Sequence, residues 1–288
     1  MAIAAYDSAG FRACAYPTVW RLVGGLCVAV SRMSLPFIGI GVLTSEGPVP
    51  LVVLVRALFV CALLPALAAW LIERAYAADV EVHADELVIR GRGLSIEIPR
   101  TAIAAIEPWT VPLPGPGFVL RMQSGRRFSY GLQATDPTAL LSALAAAAGV
   151  HAAHTATRHP TFVYAHAKQS AGHWQWYHLL TKFVLFALLP TAVWFNAHQH
   201  IAYGGLLGQY YLEGLGPYLK TFFISWSFAA IYLLLYASAW RVAAEAVALL
   251  TAMAAPTRAA LARRVVEIVC RVVYYLGVPA LVVMPFLA

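Results

Sequence analysis

The sequence predicts a polytopic α-helical membrane protein of about five spans, with one small soluble domain between the second and third. Three observations carry that prediction. First, 61% of the 288 residues are hydrophobic and only 11% are charged, where a soluble domain carries roughly 25% charged residues. Second, the apolar residues come in runs near the ~20 residues that cross a bilayer, and the mean hydropathy is +0.72. Third, Lys and Arg alternate between successive connections, as they do across a membrane.

Span 1 covers about Leu22 to Leu43 and span 2 about Leu51 to Ile72. The Thr44-Ser45-Glu46-Gly47-Pro48 turn joins them into a helical hairpin. Span 3 runs from Leu179 to Phe195 and contains Pro190, which predicts a kink. Span 4 runs from Tyr218 to Ala239, and span 5 from Val265 to Ala288. The tail before span 1 carries Arg12 and Arg21, and the turn after span 1 carries no Lys or Arg. The segment after span 2 carries nine, and the segment from Asn196 to Pro217 none. The segment after span 4 carries Arg241, Arg258, Arg263 and Arg264. One orientation satisfies every connection: N-terminus and soluble domain cytoplasmic, C-terminus periplasmic. The net charge of +7 is thus spent beside the spans, and no nucleic-acid surface is expected.

Residues 79–150 change character. Leu94, Ile96 and Ile98 alternate with Ser95 and Glu97. Phe118, Leu120 and Met122 alternate with Val119 and Arg121, and Phe128, Tyr130 and Leu132 with Ser129 and Gly131. A period of two means half-buried strands. Gly91-Arg92-Gly93, Pro112 to Gly117 and Ser124-Gly125-Arg126 are turns. Asp136-Pro137 opens a short closing helix whose apolar stripe is Leu140, Leu141 and Leu144. The rest divides into a tail and two-span hairpin (1–78), a His- and Trp-rich connector (151–178) and a three-span region (179–288).

This layout resembles the bacterial PH-like domains of small inner-membrane proteins. The likeness rests on Leu87-Val88-Ile89, on Ile98-Pro99-Arg100-Thr101-Ala102-Ile103 and on Ser124-Gly125-Arg126-Arg127-Phe128. It extends over residues 79–149 only. It implies a small β-barrel closed by a helix, and it implies a fold more than an activity.

Candidate chemistry is sparse, and no catalytic motif is present. Six of the nine histidines lie between His151 and His178. His151 and His154 share a helix face, and His198 and His200 lie between spans 3 and 4 near Glu213, so either pair could contribute to a metal site. The competing reading is an interfacial connector on the inner side and an amphipathic surface loop on the outer side. Trp174 and Trp176 read as an interfacial belt. Cys14, Cys27, Cys61 and Cys270 share no metal-ligand spacing and read as neither ligands nor disulfides.

Charges inside spans weigh more, because each costs about 2.5–3.5 kcal/mol on insertion scales. Arg32 falls near the middle of span 1. Arg56 and Lys182 lie nearer span ends and can snorkel. Glu267 and Arg271 are four apart on span 5. Arg32 needs Glu267, an acid from a partner subunit, or a shallower span 1. Arg90, Arg92, Arg126 and Arg127 sit at turns of the soluble domain. They read either as a contact for anionic lipid or as solvated charge. The reading these residues support is a non-enzymatic inner-membrane accessory protein, without a cofactor, that binds a membrane partner or assists assembly of a membrane complex, the partner being another membrane protein or a second copy of itself. The alternatives are a membrane metalloenzyme or redox protein, and a small transporter subunit.

Overall fold

The computed structural model describes residues 9–83, 85–134, 136–148, 156–170 and 176–283. The chain forms two compact units. One takes in the chain up to Ser31, Leu63–Ala171 and Ala246–Arg263. The other takes in Arg32–Ala62, Gly172–Glu245 and the chain from Arg264 onward.

The first unit is built on a seven-stranded antiparallel sheet. Its strands are β1 (Ala9–Pro17), β2 (Ala77–Val82), β3 (Glu86–Gly91), β4 (Leu94–Pro99), β5 (Ile103–Pro108), β6 (Phe118–Met122) and β7 (Arg127–Ala134), in the order β4-β3-β2-β1-β7-β6-β5. The alternation read from sequence becomes the inward face. Leu87, Ile89, Phe118, Leu120 and Leu132 are fully buried under Leu140, Leu141 and Leu144 of helix α3 (Pro137–Ala148). Asp136 caps that helix as expected, its Oδ1 accepting the N–H of Thr138 at 3.1 Å and of Ala139 at 3.0 Å.

Two features differ from the sequence reading. The expected barrel is an open sheet whose edges are β4 and β5. Pro99 ends β4, and a 3-10 turn, Arg100–Ala102, follows before β5. A proline lacks the N–H a ladder needs. The second difference is β1, which precedes the first span and lies outside the expected bounds of 79–150. It is the central strand. It pairs with β2 from Ala9↔Val82 to Cys14↔Ala77, and with β7 from Ala13↔Ala134 to Pro17↔Tyr130.

Antiparallel neighbours are usually joined by a turn of two to five residues. Here β1 and β2 are joined by helices α1 (Thr18–Leu43) and α2 (Leu51–Ala75). The carbonyls at the end of α1 are capped by Thr44 Oγ1 on Ile40 at 3.0 Å and Ser45 Oγ on Val42 at 2.8 Å. The base of the hairpin packs on the sheet through Cys14, Tyr16, Ile72 and Trp109. No flexible linker separates α1 and α2 from the sheet.

Helix α4 (Pro160–Ser170) completes the first unit. Its Tyr164 and Ala167 pack with Ala248 and Ala252 at the end of the long helix α7 and with Ala259.

In the second unit, helix α5 (Tyr177–Tyr203) leads through the short α6 (Gly208–Glu213) into α7 (Leu215–Ala254). The sequence reading ends the third span at Phe195; the helix continues to Tyr203, so Asn196, His198 and His200 are helical and not in a loop. The irregularity lies upstream of Pro190, where Leu180–Leu185 is a π-helix. Phe186 N–H bonds back to Thr181 at 3.0 Å, which leaves the Lys182 carbonyl without its usual partner. Tyr274 O–H donates to that carbonyl at 2.8 Å, and Trp226 Nε1–H donates to the Val184 carbonyl at 3.1 Å. Buried backbone groups in an apolar layer need such partners.

α1, α2, α5 and α7 are long and apolar enough to cross a membrane, which is compatible with a multi-pass membrane protein. The fifth expected span is described as α8 (Ala259–Val272), a π turn (Val273–Gly277) and α9 (Val278–Val283); residues 284–288 lie outside the described residues. α7 has 40 residues, or about 60 Å at helical rise, twice the ~30 Å of hydrocarbon. From Ala246 onward it belongs to the sheet-bearing unit.

Candidate functional site

Arg32 lies eleven residues before the end of α1 at Leu43, about 16 Å along the helix axis. For a helix crossing a hydrocarbon layer ~30 Å thick, that depth would be close to the middle. Its side chain is exposed, as are those of Val30, Met33 and Phe37 around it. Arg32 makes no ion pair with Glu267, and none with any other described residue. Of the three ways to accommodate a charge at that depth, the acid from Glu267 is therefore not used. Arg56 on α2 is exposed near the hairpin turn, at snorkelling distance from the surface. Over their most apolar stretch, α1 is 0% and α2 6% buried, against 22% for α5 and 17% for α7. The N-terminal hairpin is thus the less covered pair of spans.

Glu267 and Arg271 belong to a different cluster. They lie within electrostatic reach of Lys182, as does Arg241. Arg241 in turn pairs with Glu245 one turn along α7, at 3.1 Å. Three cations and two acids gather there; the sequence reading paired only Glu267 with Arg271 and left Lys182 to snorkel.

Of the metal candidates, His151 and His154 lie outside the described residues. His198 and His200 flank Gln199 on α5, and both are exposed while Gln199 is buried. Two residues apart on a helix they diverge by ~200°, so they do not converge on one ion. Among the described residues no three His, Cys, Asp or Glu side chains gather as metal ligands would. The connector histidines that are described have separate roles. His159 caps α4, its Nδ1 accepting the Thr161 N–H at 3.3 Å, and desolvation pushes its pKa below the ordinary value. His166 is exposed, and His178 stacks on Tyr177 with ring centres 4.3 Å apart. Trp174 lies outside the described residues, and Trp176 begins the helical turn Trp176–Leu179 that leads into α5.

Gln199 is a residue that sequence reasoning missed. Its Nε2 donates to Gln209 Oε1 at 2.8 Å. Gln209 Nε2 donates onward to Glu213 Oε2 at 2.9 Å and Thr221 Oγ1 at 3.1 Å. This buried chain pins α6 between α5 and α7. Glu213, expected beside the histidines, is bound to Gln209 and Tyr203 instead. A lone glutamine between two histidines offers no periodic signal.

The four arginines of the sheet separate into two kinds. Arg90 pairs with Glu81 at 3.2 Å and Arg127 with Glu107 at 2.7 Å; exposed pairs of this sort are worth ~1 kcal/mol or less. Arg92 and Arg126 are exposed in turns closed by Gly93 and Gly125, both at positive φ. Register places both turns at the end of the sheet where β1 runs into α1 and β2 leaves α2.

At the base of the hairpin, Trp109 lies against Gly131 and Gly117, where a Cβ would fall 2.8 Å from its ring. Arg21 stacks over the same ring at 4.8 Å. Thr161 Oγ1 donates to its carbonyl at 2.7 Å, while Nε1 has no partner among the described residues. Burial pushes the neighbouring Cys14 thiol and Tyr16 hydroxyl up from their ordinary pKa values. Neither is poised as a nucleophile, because the thiolate is the reactive form. Compared with known proteins, the chain matches no family model, no curated protein and no solved structure.

Proposed function

We propose that this is a non-enzymatic accessory protein of the inner membrane, which binds a membrane partner, or a second copy of itself, through its N-terminal hairpin. The observation that carries this reading is Arg32. A guanidinium exposed near mid-bilayer is costly, and its own chain supplies no acid for it among the described residues. A partner span bearing a carboxylate or amide would satisfy it. The sparse cover on α1 and α2 supports the same reading. The Lys/Arg pattern supports a cytoplasmic sheet, a cytoplasmic N-terminus and a periplasmic C-terminus. Seven antiparallel strands and a closing helix support a PH-like module, here opened between β4 and β5. In this reading the sheet is a cytoplasmic platform fixed to the hairpin, and recognition in the membrane sets where the platform sits.

The test is recovery of native partners from membranes by wild type, Arg32→Leu and Arg32→Lys at matched expression. An interhelical polar contact is worth roughly 0.6–1.7 kcal/mol. Arg32→Leu should therefore recover about 3- to 18-fold less partner, and Arg32→Lys should retain most of it. Equal recovery by all three removes Arg32 from the account.

A further inference from the structure

The loop between β5 and β6 is devoid of charge over nine residues, Trp109-Thr110-Val111-Pro112-Leu113-Pro114-Gly115-Pro116-Gly117. An ordinary surface loop is rich in polar residues, and in this one Thr110 is the sole polar side chain apart from the Trp109 indole. The loop is stiffened by three prolines and tied down at Trp109, whose N–H donates to the Gly117 carbonyl at 2.9 Å. It leans on the membrane hairpin. A Cβ built on Gly25 of α1 would lie 3.4 Å from Leu113 Cβ, and one on Gly24 would lie 4.0 Å from Pro114 Cγ and 3.6 Å from Ile72 of α2. Both loop distances are van der Waals separations, so the loop lies directly against α1. Val111, at the outer side of the loop, is 60% exposed.

The depth of that contact follows from the helices. Counting back from Leu43, a hydrocarbon layer of roughly 20 residues ends near Gly24, and counting forward from Leu51 it ends near Leu71. Interfacial markers stand at both places. Trp20 and Trp70 are exposed, Arg74 stacks over Trp70 at 5.4 Å, and Arg21 stacks over Trp109. Trp and Arg collect at the level of the headgroups. The loop therefore touches α1 where the apolar layer begins.

We propose that residues 109–117 form an interfacial wedge, whose Val111 enters the glycerol and upper acyl layer of the bilayer. The partner is the lipid surface. The wedge would hold the sheet at a fixed tilt, with a third point of attachment beside the two helix–strand junctions.

The experiment uses full-length protein reconstituted in phosphatidylcholine vesicles. An environment-sensitive fluorescent amino acid is placed at position 111, or at position 85 in the β2–β3 turn, at the end of the sheet away from the helix–strand junctions. Emission is compared in ordinary vesicles and in vesicles of acyl-brominated phosphatidylcholine. Both positions are exposed, so neither probe disturbs the core. Expected are blue-shifted emission at 111 that loses most of its intensity to the brominated lipid, and unchanged emission at 85. Equal response at the two positions, or full quenching of 111 by aqueous iodide, overturns the wedge.

Discussion

Trp109 shows how single residues decide the junction between sheet and membrane. Its ring occupies the space two glycines leave, and Gly131 gives the more direct test. A methyl there would sit 2.8 Å from Trp109 Cζ2, and overpacking of this kind costs about 1–3 kcal/mol. Gly131→Ala should lower the midpoint of unfolding in detergent, whereas Gly10→Ala, with open space around it, should leave it unchanged. A second residue-scale prediction concerns acid. His159 caps α4 in its neutral form, and burial holds its pKa down. A depressed histidine stabilises the fold above its ordinary pKa near 6.5, and that contribution is lost as pH falls through the folded value. Asp136 acts at lower pH. Desolvation would raise its pKa, but the hydrogen bonds from Ala139, Thr138 and Gln169 outweigh it and hold the pKa below 3.8. Its contribution persists until the carboxylate protonates. Hydrogen exchange in α4, corrected for intrinsic rates, should therefore accelerate between about pH 7.5 and about pH 5.5 while α3 stays protected. In His159→Asn, whose cap does not titrate, α4 should lose that dependence. The Asp136 cap was legible in the Asp136-Pro137 pair. Tyr274 and Trp226 were not, because they donate to backbone carbonyls of a π-helix, which no sequence period announces.

The strands that alternate bulky apolar and polar residues were legible, and so were their turns, since Gly93 and Gly125 supply the positive φ that those turns require. β1 was not. Its core residues are Ala13 and Ala15, and its other face, Cys14 and Tyr16, is buried too. Small side chains with both faces covered carry no period-two signal. The helical hairpin then hid the pairing, because more than fifty residues separate strands that lie side by side. The consequence is testable at the scale of the element. A fragment of residues 77–148 lacks the strand that joins β2 to β7 and should give poorly dispersed amide signals. The same fragment preceded by residues 9–17 and a short glycine-serine linker should fold, because Cys14 already faces Ala77. Folding of the shorter fragment alone would deny β1 its central place.

At the scale of the molecule, hydropathy made legible the four helices long and apolar enough to cross a membrane. Their ends were less so. α5 runs eight residues past the expected Phe195, to Tyr203, and α7 fifteen past the expected Ala239, to Ala254. In α5 the polar Asn196, His198, Gln199 and His200 continue the helix, and in α7 Arg241 and Glu245 interrupt an apolar run without ending it; the helical bonds are satisfied from within, and hydropathy does not register that. The same helices frame the functional claim. α5 and α7 brace each other through buried aromatics and the Gln199 chain, while the hairpin offers its exposed face and Arg32 outward. The central claim is that protein, and not lipid alone, covers that face in the native membrane. A photoreactive amino acid at Met33, exposed beside Arg32, reports this directly. After illumination of native membranes, a discrete protein adduct should form, whether with a different chain or a second copy. It should weaken in Arg32→Leu. Lipid adducts alone, the same in both backgrounds, would contradict the account.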